Sequence, residues 1–346
     1  MRIASITIFS DTNADSMANA FRSCHDQVDA HLVISFGAKM PVPDDAAAVA
    51  GDKLIVSEYD GDVRECGALR NLGLDTAHDL GFDWAMTLDA DEEMRFGETD
   101  VKAELEKIGS GVVVVPFDIG PNSKAATYRK ERFFSLPIMD RFSTVLAHEC
   151  VPVENSKQSL MDSISFWERP KSPEALHGKL TWLLSTLEQE VDAEGGKNPR
   201  TWYYLGDTLQ GLGRDKDALM AFDKCSALRG WDEESAWACF RMATLLESMG
   251  RLTAGIDVCC AGLARFPGMS ELAWFAGHLS HRLGEHAKAI HWCEMALAVG
   301  DSVPRIGWSL PYGMKEGPYE TMRDAYLTLG MPDQAMKCIH AITFAQ

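Results

Sequence analysis

The second half of the chain repeats itself, and no other sequence feature narrows the possible folds as much. Gly213-Arg214-Asp215-Lys216-Asp217-Ala218 is echoed by Gly250-Arg251-Leu252-Thr253-Ala254-Gly255, by Gly284-Glu285-His286-Ala287-Lys288-Ala289 and by Gly330-Met331-Pro332-Asp333-Gln334-Ala335. The intervals are 37, 34 and 46 residues. A period of this length belongs to stacked helix pairs. Each glycine suits the position just past a first helix, where φ must be positive. The small residue five places on lets the second helix pack closely. Strand signals stop near Glu174, and helical patterning replaces them. Stacked repeats bury a continuous core and offer a concave surface. The competing reading is a helical bundle without repeats. The longest interval contains an insertion, Gly300–Gly317, rich in proline and glycine, whose Trp308 and Tyr312 are placed to cover the end of the stack.

The first half alternates. Strand-like runs at Ile3–Phe9, Leu32–Phe36, Lys53–Val56, Trp84–Leu88 and Val112–Phe117 are separated by helix-like segments at Ser16–Cys24, Arg64–Leu80 and Val101–Ile108. Alternation of this kind implies a mainly parallel sheet with helices on its faces. Ligands on such sheets gather at the carboxyl ends of the strands. There the run Phe82-Asp83-Trp84-Ala85-Met86-Thr87-Leu88 stops in Asp89-Ala90-Asp91-Glu92-Glu93. Side-chain direction repeats every two residues, so Asp89 and Asp91 project the same way. Two oxygen ligands on one side suit Mg2+ or Mn2+. Asp-x-Asp alone is weak, since Asp60-Gly61-Asp62 and Asp215-Lys216-Asp217 also occur and the ordinary form of such a triplet is a solvated turn or helix face. Only Asp89 and Asp91 follow an apolar run.

At 346 residues the chain is long enough for two domains with real cores. A net charge of −18 argues against general affinity for nucleic acid or anionic membrane. No apolar run reaches membrane-spanning length, and no export signal is recognisable. Nine cysteines without paired metal-type spacing fit reduced thiols, so a cytoplasmic location is expected.

Two resemblances follow from these residues. Trp202-x-x-Leu205-Gly206, with Gly213, Ala218 and Phe222, resembles the tetratricopeptide-repeat consensus. Ala68-Leu69-Arg70-Asn71-Leu72-Gly73-Leu74, then Trp84 through Glu92, then Arg132-Phe133-Phe134, Arg141-Phe142 and His148-Glu149, resemble the ordered motifs of family-2 glycosyltransferases of the GT-A fold. The branch carrying tetratricopeptide repeats behind the catalytic domain is the best match. It also has segments like Tyr204-Leu205-Gly206 and Trp231-Asp232-Glu233-Glu234. The resemblance implies an α/β GT-A (Rossmann-like) catalytic domain over residues 1–155. A connecting segment and helix over 156–197 and all-α repeats over 198–346 would follow. It also implies Mn2+ or Mg2+ and inversion at the anomeric carbon. The donor would be a nucleoside-diphosphate sugar, a UDP-sugar foremost, and the acceptor a saccharide, a peptide or protein, or another molecule.

In that frame Asp91 holds the metal, Asp89 lies near the metal or the donor ribose, and the metal offsets charge building on the diphosphate. A carboxylate base must take the acceptor proton, with Glu149 and Asp118 as the candidates. His148 is read as a third metal ligand or a phosphate contact, and Arg70 as a diphosphate or base contact. Relatives place an acid after the second strand, where this chain reads Val33-Ile34-Ser35-Phe36-Gly37-Ala38. Asp11, or Asp60 and Asp62, would have to substitute. Each role has a plainer counterpart: Arg70 a surface cation, His148 a structural histidine, Glu149 a surface acid. Arg132 and Arg141 would pair with local carboxylates, Trp84 would be core, and Lys124, Arg129 and Lys130 a solvated basic loop. The rival to the transferase is a decayed transferase in which the repeats recruit a protein partner or form a homodimer. A second rival is a transferase acting on modified DNA bases, against which the acidic charge speaks.

Overall fold

The computed structural model describes residues 1–9, 14–36, 41–59, 66–118, 126–143, 147–152, 154–303 and 305–344. The chain divides into two compact units, Met1–Gly120 with Tyr128–Lys171, and Ser172–Gln346 with Pro121–Thr127.

The first unit is built on one sheet. Among the described residues its strands are β1 (Ile3–Phe9), β2 (Ala30–Phe36), β3 (Leu54–Tyr59), β4 (Trp84–Thr87), β5 (Glu92–Arg95), β6 (Val112–Asp118), β7 (Tyr128–Ser135), β8 (Gln158–Leu160) and β9 (Ser165–Glu168). Helices α1 (Ala14–Cys24), α2 (Asp44–Ala50), α3 (Cys66–Asp79) and α4 (Val101–Ile108) join them. The strand order is β3-β2-β1-β4-β7-β6-β9-β5, with β8 also on β6. β1 to β4 are mutually parallel, in registers such as Ile6 with Leu32 and Ile3 with Trp84. β7 enters between β4 and β6 antiparallel to both, and β5 is antiparallel to β9. The mainly parallel sheet expected from alternation is therefore mixed.

The strand pattern explains the core. Strands covered on both faces read as largely apolar runs, as in Val112–Val115 of β6, all inaccessible, and in β1, where only Ser5 and Thr7 interrupt. Trp84 and Met86 of β4 face a cluster with Ile3, Val113 and Phe166, covered by Ala20 and Cys24 of α1 and Leu105 of α4. Ala85 faces the opposite cluster with Ile6, Ile34 and Phe134, covered by Leu69 and Leu74 of α3. The acids after β4 are less loop-like than expected, because Glu92 and Glu93 open a short strand on β9. The sheet also continues past residue 155 through β8 and β9.

A buried histidine in this core has a thermodynamic consequence. His31 in β2 is inaccessible, its Nδ1 2.9 Å from Ser5 Oγ and its ring stacked on Phe21 at 4.3 Å. Burial, then His25, then Lys53 push its pKa from 6.5 down to about 3. The unfolded chain binds the extra proton, so this contribution is complete above about pH 6.5 and is lost as pH falls toward 3. Each pH unit in that window costs about 1.4 kcal/mol. We expect His31→Gln to flatten the acid limb of the stability curve. Urea midpoints at pH 7 and pH 5 check this, and an unchanged difference between them would refute it.

The second unit is helical. Helix α5 (Pro173–Ala193) is followed by four pairs: α6 (Pro199–Gly211) with α7 (Asp215–Leu228), α8 (Asp232–Ser248) with α9 (Leu252–Arg265), α10 (Ser270–Arg282) with α11 (His286–Val299), and α13 (Glu316–Thr328) with α14 (Pro332–Phe344). A short α12 (Pro311–Met314) lies inside the insertion. These pairs form a stack of tetratricopeptide type. Gly213, Gly250, Gly284 and Gly330 follow the four first helices at φ between 72° and 80°. Ala218, Gly255, Ala289 and Ala335 are buried where each second helix begins. A β-carbon on Gly255 would lie 2.7 Å from Leu279 Cδ1, so only a small residue fits there. Each second helix packs on the next first helix, and α6, α8, α10 and α13 also touch in succession. Among the described residues, no helix is long and apolar enough to cross a membrane.

Candidate functional site

Most of the sequence-derived site residues fall at the carboxyl end of β4. Asp89 N–H donates to Glu92 Oε2 at 3.0 Å and Glu92 N–H donates to Asp89 O at 3.0 Å, closing the acidic turn on itself. Arg70, on α3, donates Nη2–H to Asp89 at 2.9 Å and Nε–H to Glu149 at 2.6 Å. Its Nη1 is buried without a partner among the described residues. Burial alone would raise the Asp89 pKa, but Arg70, Lys130 and Arg132 outweigh it and hold the carboxyl well below the usual carboxylate range. Lys130 reaches Asp89 at 3.8 Å and Glu92 at 3.7 Å. Arg132, 1% exposed, pairs with Glu92 at 2.6 Å, and its Nη1 donates to Thr87 O.

Asp91 takes a different partner. Lys171 Nζ lies 2.6 Å from its Oδ2 and also bonds Glu168. Burial would lower the Lys171 pKa, but its bonds to Asp91 and Glu168 raise it. Asp118 accepts from Ser165 Oγ at 2.9 Å and faces Arg95 at 3.9 Å. His148, half-buried, has φ 56°, and Glu149 beside it carries the bond to Arg70. Asp11, Asp60, Asp62 and Lys124 lie outside the described residues. Asn71 exchanges two hydrogen bonds with the Phe142 backbone at 3.0 and 2.9 Å. A β-carbon on Gly67 would stand 1.9 Å from Ser143 O. Gly67, Arg70 and Asn71 thus dock the segment carrying Glu149 onto α3. Arg132 and Arg141 pair with Glu92 and Asp75, and Trp84 is core.

The structure thus joins Arg70, Asp89 and Glu149, and gives Asp91 and Asp118 other partners. Sequence reading did not foresee Glu92, Lys130 or Lys171 in these roles. Lys171 lies 80 positions beyond Asp91 and had no motif around it. Among the described residues, no group of three or more His, Cys, Asp and Glu is arranged to hold a metal. The donor set does not fit a divalent cation as it stands, because its oxygens already face Arg70, Lys130 and Lys171.

A second site lies on the first helices of the repeats. The aromatic side chains Trp237 and Phe240 of α8 and Trp274 and Phe275 of α10 form a connected lane. Residues of the insertion cover it. Trp308 lies parallel to Trp237 with centroids 6.4 Å apart, and Tyr312 meets Trp274 edge-on at 5.4 Å. Two buried carboxylates anchor the insertion. Glu233 accepts N–H from Gly307 at 2.8 Å and Ile306 at 3.4 Å; Glu271 accepts from Arg305 Nη2 at 2.5 Å and Leu310 N–H at 2.9 Å. Burial holds the Glu233 carboxyl above its usual range, with Arg305 opposing. Thr127 and Ser309 also pair as a short antiparallel bridge. The expected cover for the stack end is thus a cover for the first-helix face.

No protein-family model matches the chain, and no curated protein matches it. Solved structures match about half of the chain. A crystal structure of MamA is 20% identical, with TM-score 0.40, covering 48% of this chain and 88% of its own. MamA from Desulfovibrio magneticus RS-1, from its residue 41 to the end, is 17% identical, with TM-score 0.39, covering 48% and 85%. YrrB, described as a TPR protein with an unusual peptide-binding site, is 11% identical, with TM-score 0.39, covering 49% and 79%.

The expectation of sugar transfer is corrected on the geometry of the site: the carboxylates that the reaction requires are engaged by cations of the chain itself. The nucleoside-diphosphate sugar and saccharide acceptor fall with that expectation.

Proposed function

We propose that the chain is a repeat-based protein-binding module, with the row of first helices as its recognition surface. One observation carries this reading. The α8–α10 face already holds an irregular stretch of polypeptide, residues 305–310, by backbone N–H groups, an arginine and aromatic stacking. A face that recognises chain in this way has the chemistry of a peptide groove. Stacked repeats commonly use such extended surfaces for binding. The part of the row not covered by the insertion is polar and bridged between helices. Arg241 pairs with Asp207, and Glu247 with His278 and Arg282.

For the first unit we infer a GT-A-type, Rossmann-like architecture. It is supported by the parallel order β3-β2-β1-β4 and by acids immediately beyond the carboxyl end of β4. Its role here is that of a folded platform whose charged cluster is internally neutralised.

A peptide array probed with the full chain tests the binding reading. Selective hits should be titrated against the full chain and against Arg282→Glu, an exposed change on the uncovered part of the row. Sequence-selective binding that weakens several-fold on charge reversal is the expected result. Binding without sequence preference, or indifference to Arg282→Glu, would overturn it.

A further inference from the structure

The α8–α10 face presents a specific problem that the insertion solves. Glu233 and Glu271 are 5% and 0% exposed, and both sit in the first turn of a repeat's first helix. A buried carboxylate needs a cation or several N–H donors. All four donors described above come from the insertion, Arg305 to Leu310. Its glycines are fitted to the same purpose. A β-carbon on Gly307 would lie 2.8 Å from Glu233 Oε1, one on Gly313 2.7 Å from the Trp274 ring, and one on Gly317 2.6 Å from it. Beneath Trp308, the Trp237 indole N–H is buried and has no acceptor among the described residues, so the described part of the occupant leaves this donor of the face unused.

We propose that this face is a recognition surface for a segment carrying an arginine followed three residues later by an aromatic side chain, and that the chain's own residues 305–312 occupy it in cis. The proposal rests on the protein-binding reading and names the partner's chemistry. Arginine enters between the helices to meet Glu271. Backbone N–H groups one and two residues on meet Glu233. The first aromatic residue stacks on Trp237 and a second meets Trp274. A partner that also offers a carbonyl to Trp237 Nε1 would satisfy the donor that the insertion leaves unpaired. The tethered segment has the advantage of high effective concentration, so a partner in trans binds only to the fraction of molecules whose insertion has lifted.

The probe is a fluorescein-labelled peptide of residues 305–315, Arg-Ile-Gly-Trp-Ser-Leu-Pro-Tyr-Gly-Met-Lys. Against the unmodified full chain it should bind weakly. In the full chain carrying Arg305→Ala, Trp308→Ala and Tyr312→Ala, binding should tighten at least ~10-fold, since apparent affinity scales with the open fraction. Adding Glu271→Gln should remove most of that gain. A triple variant that keeps its helical circular dichroism and binds no tighter would overturn the proposal. So would a gain indifferent to Glu271→Gln. If the triple variant loses helix, the same question is read on the unmodified chain by limited trypsin digestion. Excess peptide should speed cleavage after Arg305 and Lys315, and an Ala-substituted peptide should not. Unchanged cleavage would overturn the proposal. Array binding sensitive to Arg282→Glu, together with failure of these assays, would leave the protein-binding reading standing and remove only this one.

Discussion

Replacing Arg132 with methionine should lower the stability of the first unit by ~3–5 kcal/mol, the range for breaking a buried ion pair from one side. Arg132 and Glu92 are 1% and 3% exposed and 2.6 Å apart. Burial would lower the Arg132 pKa, but Glu92 and then Asp89 raise it. The guanidinium also faces the Phe166 ring at 4.6 Å and holds Thr87 O at the end of β4. Methionine restores some volume and none of the charge. Among the described residues, Glu92 would keep only Lys130, at 3.7 Å, as a cation. The double change Arg132→Met with Glu92→Gln should recover part of the loss, because no unpaired charge then remains buried. Urea unfolding of the wild type and three variants measures this. A single-variant loss under about 1 kcal/mol, the scale of a surface pair, would show that the pair is not desolvated as the structure places it.

The repeat half was legible because its signals are local. A glycine at positive φ and a small residue five positions later are both fixed by the geometry of one helix–turn–helix, so sequence spacing carries the information. The strands β1, β2, β4 and β6 were legible for a related reason: burial on both faces leaves a mainly apolar run, broken in β1 and β2 only by Ser5, Thr7, His31 and Ser35. The charged strands were not. β5 (Glu-Glu-Met-Arg) and β7 (Tyr-Arg-Lys-Glu-Arg-Phe-Phe-Ser) carry runs of ionic residues, of which Glu92 pairs with Lys130 and Arg132, and a sequence read alone takes such residues for a solvated loop. That error altered the site. With β7 in place, Lys130 and Arg132 face the acids after β4, and the carboxylates that looked poised for a cation already have cations. Arg70, Asp89 and Glu149 were each singled out from motif order, but their mutual pairing spans 79 positions and is accompanied by Asn71 and Gly67 docking Phe142 and Ser143. The insertion was legible in its aromatics and not in its location, because Glu233 and Glu271 announce nothing until their burial is known.

Arg70→Met should cost nearly as much as Arg132→Met at neutral pH, and the cost should depend on pH. The guanidinium is 7% exposed and divides its charge between Asp89 and Glu149. Removing it leaves two carboxylates close together in a partly desolvated cleft, with Lys130 at 3.8 Å as the remaining near cation. Loss of ~3 kcal/mol or more at pH 7 is the expected scale. In the wild type, Asp89 is held below its usual range, so its contribution is present above the unfolded pKa of 3.8 and fades as pH falls through the folded value. In the variant, burial and mutual repulsion favour protonation, so the folded state takes up protons that the wild type refuses. The gap between the two proteins should therefore narrow as pH falls from 7 to 4. Asp89→Asn with Glu149→Gln in the Arg70→Met background should close most of the gap at pH 7 as well. Urea titrations at both pH values decide the matter. A loss of equal size at pH 7 and pH 4, unrelieved by neutralising the two acids, would mean that Arg70 holds α3 to the sheet by packing and not by charge.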